Sequence, residues 1–409
     1  MLSHSFAALI ASVTFVFVPT IAWAESTLQL LLDGKYREIK EGKSAEEKAA
    51  WAFARFHLAP SKQMAEAATQ AHEAGHDLGS FVLLLCQRKG MHVRFNEAVL
   101  NKLNFDLRQK LDAKQKLSAL ESYMRSRLTA TNEKGSIHGK TPEDIFKQDE
   151  ENRKRNWDHL CDAAENGVAE ACDTIGAGYQ ADNDMKLAYE WYGKAAKMGL
   201  ASGLKNQAFL LLRGLGAEKD EKLAARIMTD AAERGDVFAM VNLGVFYDRG
   251  MGVKPSQKAA QKWIDRAAGS GHWMGLIEKG LALLQGTYGY KKNVKEGQEL
   301  LQKAVQTQSP DVLLRIANWY VAGNGLEKNG KKAIEFAEAA FVQGDRKAAE
   351  FLAAAYAAGL DGVPQDKRLH LYWFGQSNHS LAHAVNINDS DPELAERLKK
   401  IDPAQIVVE

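Results

Sequence analysis

The chain has 409 residues, with 53 basic and 52 acidic side chains, a formal net charge of +1 and 45% hydrophobic residues. Both signs are mixed along its length, which excludes the basic footprint of a protein that binds nucleic acid or an anionic membrane. Residues 25–409 are many for one globular core, a limit that an array of units packed only on their neighbours escapes.

Residues 1–24 contain no Lys, Arg, Asp or Glu, carry an apolar run from Phe6 to Val18 and end in Ala22-Trp23-Ala24. This reads as a secretory signal peptide cleaved after Ala24, which predicts a periplasmic or secreted protein. The apolar run is shorter than the roughly 20 residues that span hydrocarbon, and no later segment is apolar enough, so no stable membrane insertion is expected after cleavage. Residues 25–128 read as an N-terminal helical region. A short helical pattern (STLQLLLDG) comes first, then amphipathic helices over Ala49–Leu58 and Ser61–Ala74, the former stopped at Pro60.

The stretch Asp236–Gly271 sets the register for the rest. It holds two amphipathic helical patterns, here helix A and helix B, separated by a glycine loop and closed by a glycine. Laying Gly75 on Gly235 puts Gly79 on Ala239, Leu83 on Leu243 and Arg88-Lys89-Gly90 on Asp248-Arg249-Gly250, so one diverged repeat begins at Gly75. The polar, aperiodic stretch 129–140 predicts a linker, and Thr141-Pro142-Glu143-Asp144 opens a new helix.

From 141 to 390 the pattern recurs. Helix B ends at Gly167, Gly199, Gly235, Gly271, Gln308 and Gly344, a period near 36 residues with one 32-residue unit whose shortfall lies in its loop. The fold this predicts is an all-α solenoid, an α/α superhelix of about 36-residue helix-turn-helix repeats. Small residues at Gly176, Ala208, Gly244, Gly280, Ala317 and Ala353 should let helix A approach helix B. Tyr179, Leu211, Tyr247, Leu283, Tyr320 and Tyr356 on helix A, with Trp191, Ile227, Trp263, Leu300, Phe336 and Trp373 on helix B, should form the core ladder. Residues 391–409 read as a capping helix and tail. Of the three cysteines, Cys161 and Cys172 are close enough in sequence to bridge successive helices in an oxidising compartment, a pairing that geometry decides. Cys86, within FVLLLC, reads as a buried small hydrophobe.

The residues LGVFYDRGMGVKPSQKAAQKWIDRAAGSG resemble the Sel-one-like repeat, a relative of the tetratricopeptide repeat. The shared features are Leu-Gly-x-x-Tyr, Gly-x-Gly-Val, Lys-Ala, an aromatic on helix B and Ala-Ala-x-x-Gly. The resemblance implies a superhelix that binds a protein or peptide on its inner surface, as exported bacterial adaptors do. One cysteine-rich subset implies weak β-lactam hydrolysis. That subset has a regular cysteine pair in each repeat and this chain does not, so the implication transfers poorly.

The competing chemical signal is His72-Glu73-Ala74-Gly75-His76, a match to the H-E-x-x-H zinc-hydrolase pattern, in which two histidines on one helical face bind zinc. Glu97 lies 21 residues beyond His76, a workable place for a third ligand. The repeat register opposes this, because Gly75 is the turn that ends a helix B and separates the two histidines. His379 and His383, with His370 nearby, form a weaker set with no carboxylate at a suitable spacing. The Gly-x-Gly loops lack the Lys-Ser/Thr of a phosphate loop. The reading is therefore a binding protein with no cofactor, no metal and no catalytic residue. Helix A supplies the candidate partner-binding residues Phe209, Leu212, Arg213, Phe238, Val241, Val245, Arg249, Met274, Ile277 and Leu281, an apolar stripe that is either a groove or packed core.

Overall fold

The computed structural model describes residues 27, 29–32, 34, 36–58, 60–89, 93, 96–128, 142–378 and 392–408. The expected signal peptide, the linker 129–140, and His379 and His383 lie outside the described residues. The described chain is an all-α succession of packed helix pairs. The N-terminal region comprises α1 (Ala45–Leu58), α2 (Lys62–Glu73), α3 (Asp77–Lys89), α4 (Glu97–Asp112), α5 (Ala119–Ser126) and the long α6 (Pro142–Glu165). Six A/B pairs follow: α7 (Ala169–Ala181) with α8 (Met185–Lys197), α9 (Ala201–Arg213) with α10 (Glu221–Glu233), and α11 (Val237–Arg249) with α12 (Gln257–Gly269). Then come α13 (Trp273–Gln285) with α14 (Val294–Val305), α15 (Pro310–Ala322) with α16 (Gly330–Val342), and α17 (Arg346–Ala358) with α18 (Lys367–Asn378). A last helix, α19 (Pro392–Lys400), precedes the tail.

The B helices are started by their own side chains. Asp184, Asp220, Ser256, Asn293 and Asn329 each accept a backbone N–H from the first turn that follows. Each cap is worth about 1 kcal/mol and fixes where the loop ends. The turn that closes each unit needs a left-handed residue, and Gln308 adopts it at φ +58° where the other units have glycine. The expected diverged repeat has the same turn, with Gly75 at φ +81°. The shortened unit keeps both helices at full length and makes its turn through Asn183, at φ +63°.

The second glycine of the loop has a tertiary role. A Cβ on Gly252 would lie 1.9 Å from the carbonyl oxygen of Glu221, and one on Gly216 would lie 2.0 Å from that of Met185. Each loop thus rests its backbone directly on the first residue of the preceding unit's B helix.

The A/B interface differs from the expected ladder by one residue in most units. A Cβ on Gly176 would meet the ring of Tyr192, one on Gly244 would meet Ile264, and one on Gly280 would meet Leu301. Tyr192, Met228, Ile264 and Leu301 are buried, whereas Trp191, Ile227, Trp263 and Leu300 are half-buried on the flank. The Lys194 ammonium sits 3.4 Å over the Trp191 ring and the Arg266 guanidinium 5.1 Å over that of Trp263. A cation that must keep its water holds the indole at the edge of the interface. Phe336 and Trp373 are fully buried, as expected.

The A helices of neighbouring units touch, α7 with α9 and α11 with α13, and no contact of similar extent joins successive B helices among the described residues. We call the A-helix side of the stack its inward face. One hydrophobic cluster runs from Leu31 to Leu200, so the core is continuous from the N-terminal region into the array. Both ends fold back on the stack. Arg37 Nη1 donates to the carbonyl of Glu233 at 2.5 Å, and Ile406 and Val408 of the tail are buried against the last units.

Candidate functional site

The inward face is built from side chains of successive A helices. In two steps the second residue of one helix meets the fifth of the helix before it, Ser202 with Asp173 and Phe238 with Lys205, because residues three or four positions apart share a face. On α9, Ser202 Oγ donates to Asp173 Oδ2 of α7 at 3.1 Å, and Asn206 Nδ2 donates to Asp173 Oδ1 at 2.9 Å. Lys205 Nζ lies 3.7 Å from Asp236 Oδ2 and 5.2 Å from the centre of the Phe238 ring. Asp236 also accepts the Ala239 N–H at 2.7 Å, so one carboxylate caps α11 and anchors the lysine.

Phe238 then stands edge-on to His272 and Trp273, with ring centres 5.4 and 5.9 Å away. The Arg315 guanidinium of α15 lies 6.0 Å from the Trp273 ring. Burial lowers the His272 pKa to about 4, so the ring is neutral at physiological pH, and its Nδ1 accepts the Met274 N–H at 3.1 Å. Asp173 is pushed upward by desolvation, against the pull of Lys205 and its two hydrogen bonds. Burial raises Glu170, one turn before it, to about 8, and its Oε1 has no hydrogen-bond partner among the described residues. The result is a seam of polar and aromatic side chains running from α7 to α15.

The structure divides the predicted apolar stripe. Phe238 is 36% exposed, Arg213 and Arg249 are exposed, and Phe209, Val245, Met274 and Leu281 are half-buried. Arg213 covers Phe209, with its guanidinium 4.2 Å from the ring centre. Ile277 has no exposed surface, and Leu212 and Val241 are buried in the same way against neighbouring helices. These three belong to the packed core. The residues missed by sequence reasoning are Asp173, Ser202, Lys205, Asn206, Asp236, His272, Trp273 and Arg315. They stand at several different positions of their units, and a search for apolar side chains alone passed over the polar ones.

In the structure all three cysteines are free, and the Sγ of buried Cys172 lies 3.9 Å from Sδ of Met198, the residue that caps α8. Cys86 is buried beside Met64, and burial pushes its thiol up to about 12.

The two histidines of the zinc-like motif part as the register predicts. His72 lies in the last turn of α2 and shares a hydrogen bond with Ser80 Oγ at 2.9 Å, whereas His76 precedes α3, beyond the Gly75 turn. No group of three His, Cys, Asp or Glu side chains that could hold a metal occurs among the described residues. His370 Nδ1 is hydrogen-bonded to the Ala353 carbonyl at 3.0 Å. No helix among the described residues is long and apolar enough to cross a membrane.

The family model described as Sel1 repeat matches residues 169–200, 208–236, 237–272, 275–306, 310–345 and 346–377, which are the six A/B pairs. Among solved structures, a Sel1 repeat protein from Oxalobacter formigenes is 26% identical, covering 53% of this chain and 93% of its own, with a TM-score of 0.41. The protective antigen c5321 of uropathogenic Escherichia coli, which displays an SLR fold, is 20% identical, covering 76% of this chain and 63% of its own, with a TM-score of 0.36. The immunity protein Pa5087 of Pseudomonas aeruginosa is 22% identical, covering 51% and 80%, with a TM-score of 0.40. No curated protein matches the chain significantly.

Proposed function

The chain belongs to the Sel1-repeat family, and we propose that it is an exported bacterial scaffold that holds a polypeptide partner along the inward face of its A helices. Sel1 repeats commonly serve as protein-interaction scaffolds. The observation that carries the reading here is Phe238. It is a large aromatic left 36% exposed on the inward face, edge-on to the stacked rings of His272 and Trp273 and flanked by Lys205. A ring already immobilised by its neighbours loses little entropy when a partner covers it, and such pre-ordered aromatics beside a cation are where binding energy concentrates. Arg213, Arg249 and Arg315 along the same face supply donors for the partner's carbonyl or carboxylate groups. Export rests on the composition of residues 1–24, and the cell envelope is the compartment it implies.

The test is photo-crosslinking in intact cells from a benzoylphenylalanine placed at position 238, with the exposed loop position Lys254 as control. A discrete adduct from position 238, absent from 254 and diminished by Lys205→Glu, supports the reading. Identical adduct patterns from both positions would remove it.

A further inference from the structure

The N-terminal region holds an open cavity of about 420 Å³, bounded by Thr27 and Leu31, the start of α1, the turn between α2 and α3, and the start of α5. That volume lies in the range of small-molecule sites, and the cavity is remote in sequence from the seam of the repeat array. Its floor is apolar: Leu31, Ala50, Leu78 and Met124 are buried, and each lines it.

The rim is acidic, with Glu46, Glu47, Asp77 and Glu121. Glu47 accepts the backbone N–H groups of Lys43 and Ser44 at 2.6 and 2.9 Å. Asp77 pairs with Lys110 at 2.5 Å and lies 3.8 Å from Lys114, which also pairs with Glu121. Four carboxylates thus meet two ammonium groups. Glu46, exposed at the mouth, makes no ion pair among the described residues. His76 completes the wall, and burial lowers its pKa below the ordinary value, so its ring does not restore the missing positive charge. An anion entering here would meet an excess of carboxylates, whereas a cation with an apolar body can pair with Glu46 while its body covers the floor.

We propose that this cavity binds a small organic ammonium ion, its apolar body over Leu31, Ala50, Leu78 and Met124 and its nitrogen at Glu46. The site does not depend on the scaffold role and would stand if that role failed. It also gives a use to the turn bearing His76, which supplies cavity wall and no zinc ligand.

The probes are 2-phenylethylammonium and 3-phenylpropionate, which share an aromatic body and differ in head charge, titrated into the full chain by calorimetry and ligand-observed NMR. The ammonium is expected to bind and the carboxylate to bind at least tenfold more weakly. Glu46→Gln, on the exposed rim, should weaken the ammonium about twofold to fivefold with the fold unchanged. Ala50→Leu, which fills the floor, should abolish binding, and Phe238→Ala should leave it unaltered. Failure of both probes to bind at millimolar concentration, equal binding of the two, or an unaltered affinity in Glu46→Gln would overturn the proposal.

Discussion

Gln302 accepts the backbone N–H of Val408 through Oε1 at 2.8 Å while its Nε2 donates to the Ile406 carbonyl at 2.9 Å. One side-chain amide thereby replaces a strand neighbour for a segment that has none, and Lys332 Nζ adds a bond to the Val407 carbonyl at 3.3 Å. What reads as a loose tail is held on α14 and α16, the B helices of the fourth and fifth units.

Gln302→Ala should therefore release the tail. Two hydrogen bonds to partly buried backbone are lost, at a cost of about 1–2 kcal/mol. Hydrogen exchange at residues 406–408 should accelerate by roughly tenfold, and exchange in α9 to α12 should not change, because a solenoid transmits stability mainly between neighbours. Unaltered protection at Val408 would show that the clasp contributes nothing.

Ile277 and Phe238 should separate cleanly in an unfolding experiment. Ile277 is fully buried, so Ile277→Ala should cost about 2–4 kcal/mol, whereas Phe238→Ala on the inward face should stay within about 1 kcal/mol. Urea titration followed by circular dichroism measures both. An equal, small effect would return Ile277 to the list of surface residues.

The two glycine environments predict opposite signs. Gly252 has φ +68° and its Cβ position lies 1.9 Å from a backbone oxygen, so Gly252→Ala should destabilise by about 1–3 kcal/mol. Gly269 ends α12 with open space around it, so Gly269→Ala should stabilise by about 0.5–1 kcal/mol. Thermal melts of the two single variants decide the matter.

Glu170 should make stability fall as pH rises. Its carboxyl titrates near 4.5 when exposed and at about 8 in the folded chain, so between those values the folded state binds the extra proton. The stabilisation present below about pH 4.5 is lost progressively up to about pH 8, by an amount on the order of a few kcal/mol. Glu170→Gln, which cannot ionise, should flatten that slope and be relatively more stable at pH 8.5 than the parent. A slope unchanged by the substitution would mean that Glu170 titrates normally.

Much of the architecture was legible because it is local and repeated. The small residues, loop glycines and closing turns of Asp236–Gly271 recur at fixed offsets, and from them came the six units, the intact helices of the short unit and the turn between His72 and His76. The A/B interface was less legible. Trp263 and Ile264 are adjacent and both apolar, and a rotation of about 100° per residue puts them on neighbouring edges of one broad stripe. Hydrophobicity favours the larger residue as the buried one. Arg266, stacked on Trp263, keeps the indole at the flank and leaves the interface to Ile264.

The sequence by itself determined the period, the closing turns and the class of fold, since each depends on residues within one or two turns of each other. Only the tertiary structure decided which side chains the inward face presents. Val241 and Ile277 sink between helices, while Lys205 and Phe238 meet across a unit boundary. That choice is set by how closely consecutive A helices approach and in what register. Approach and register are sums over every contact in the stack, and no single unit encodes them.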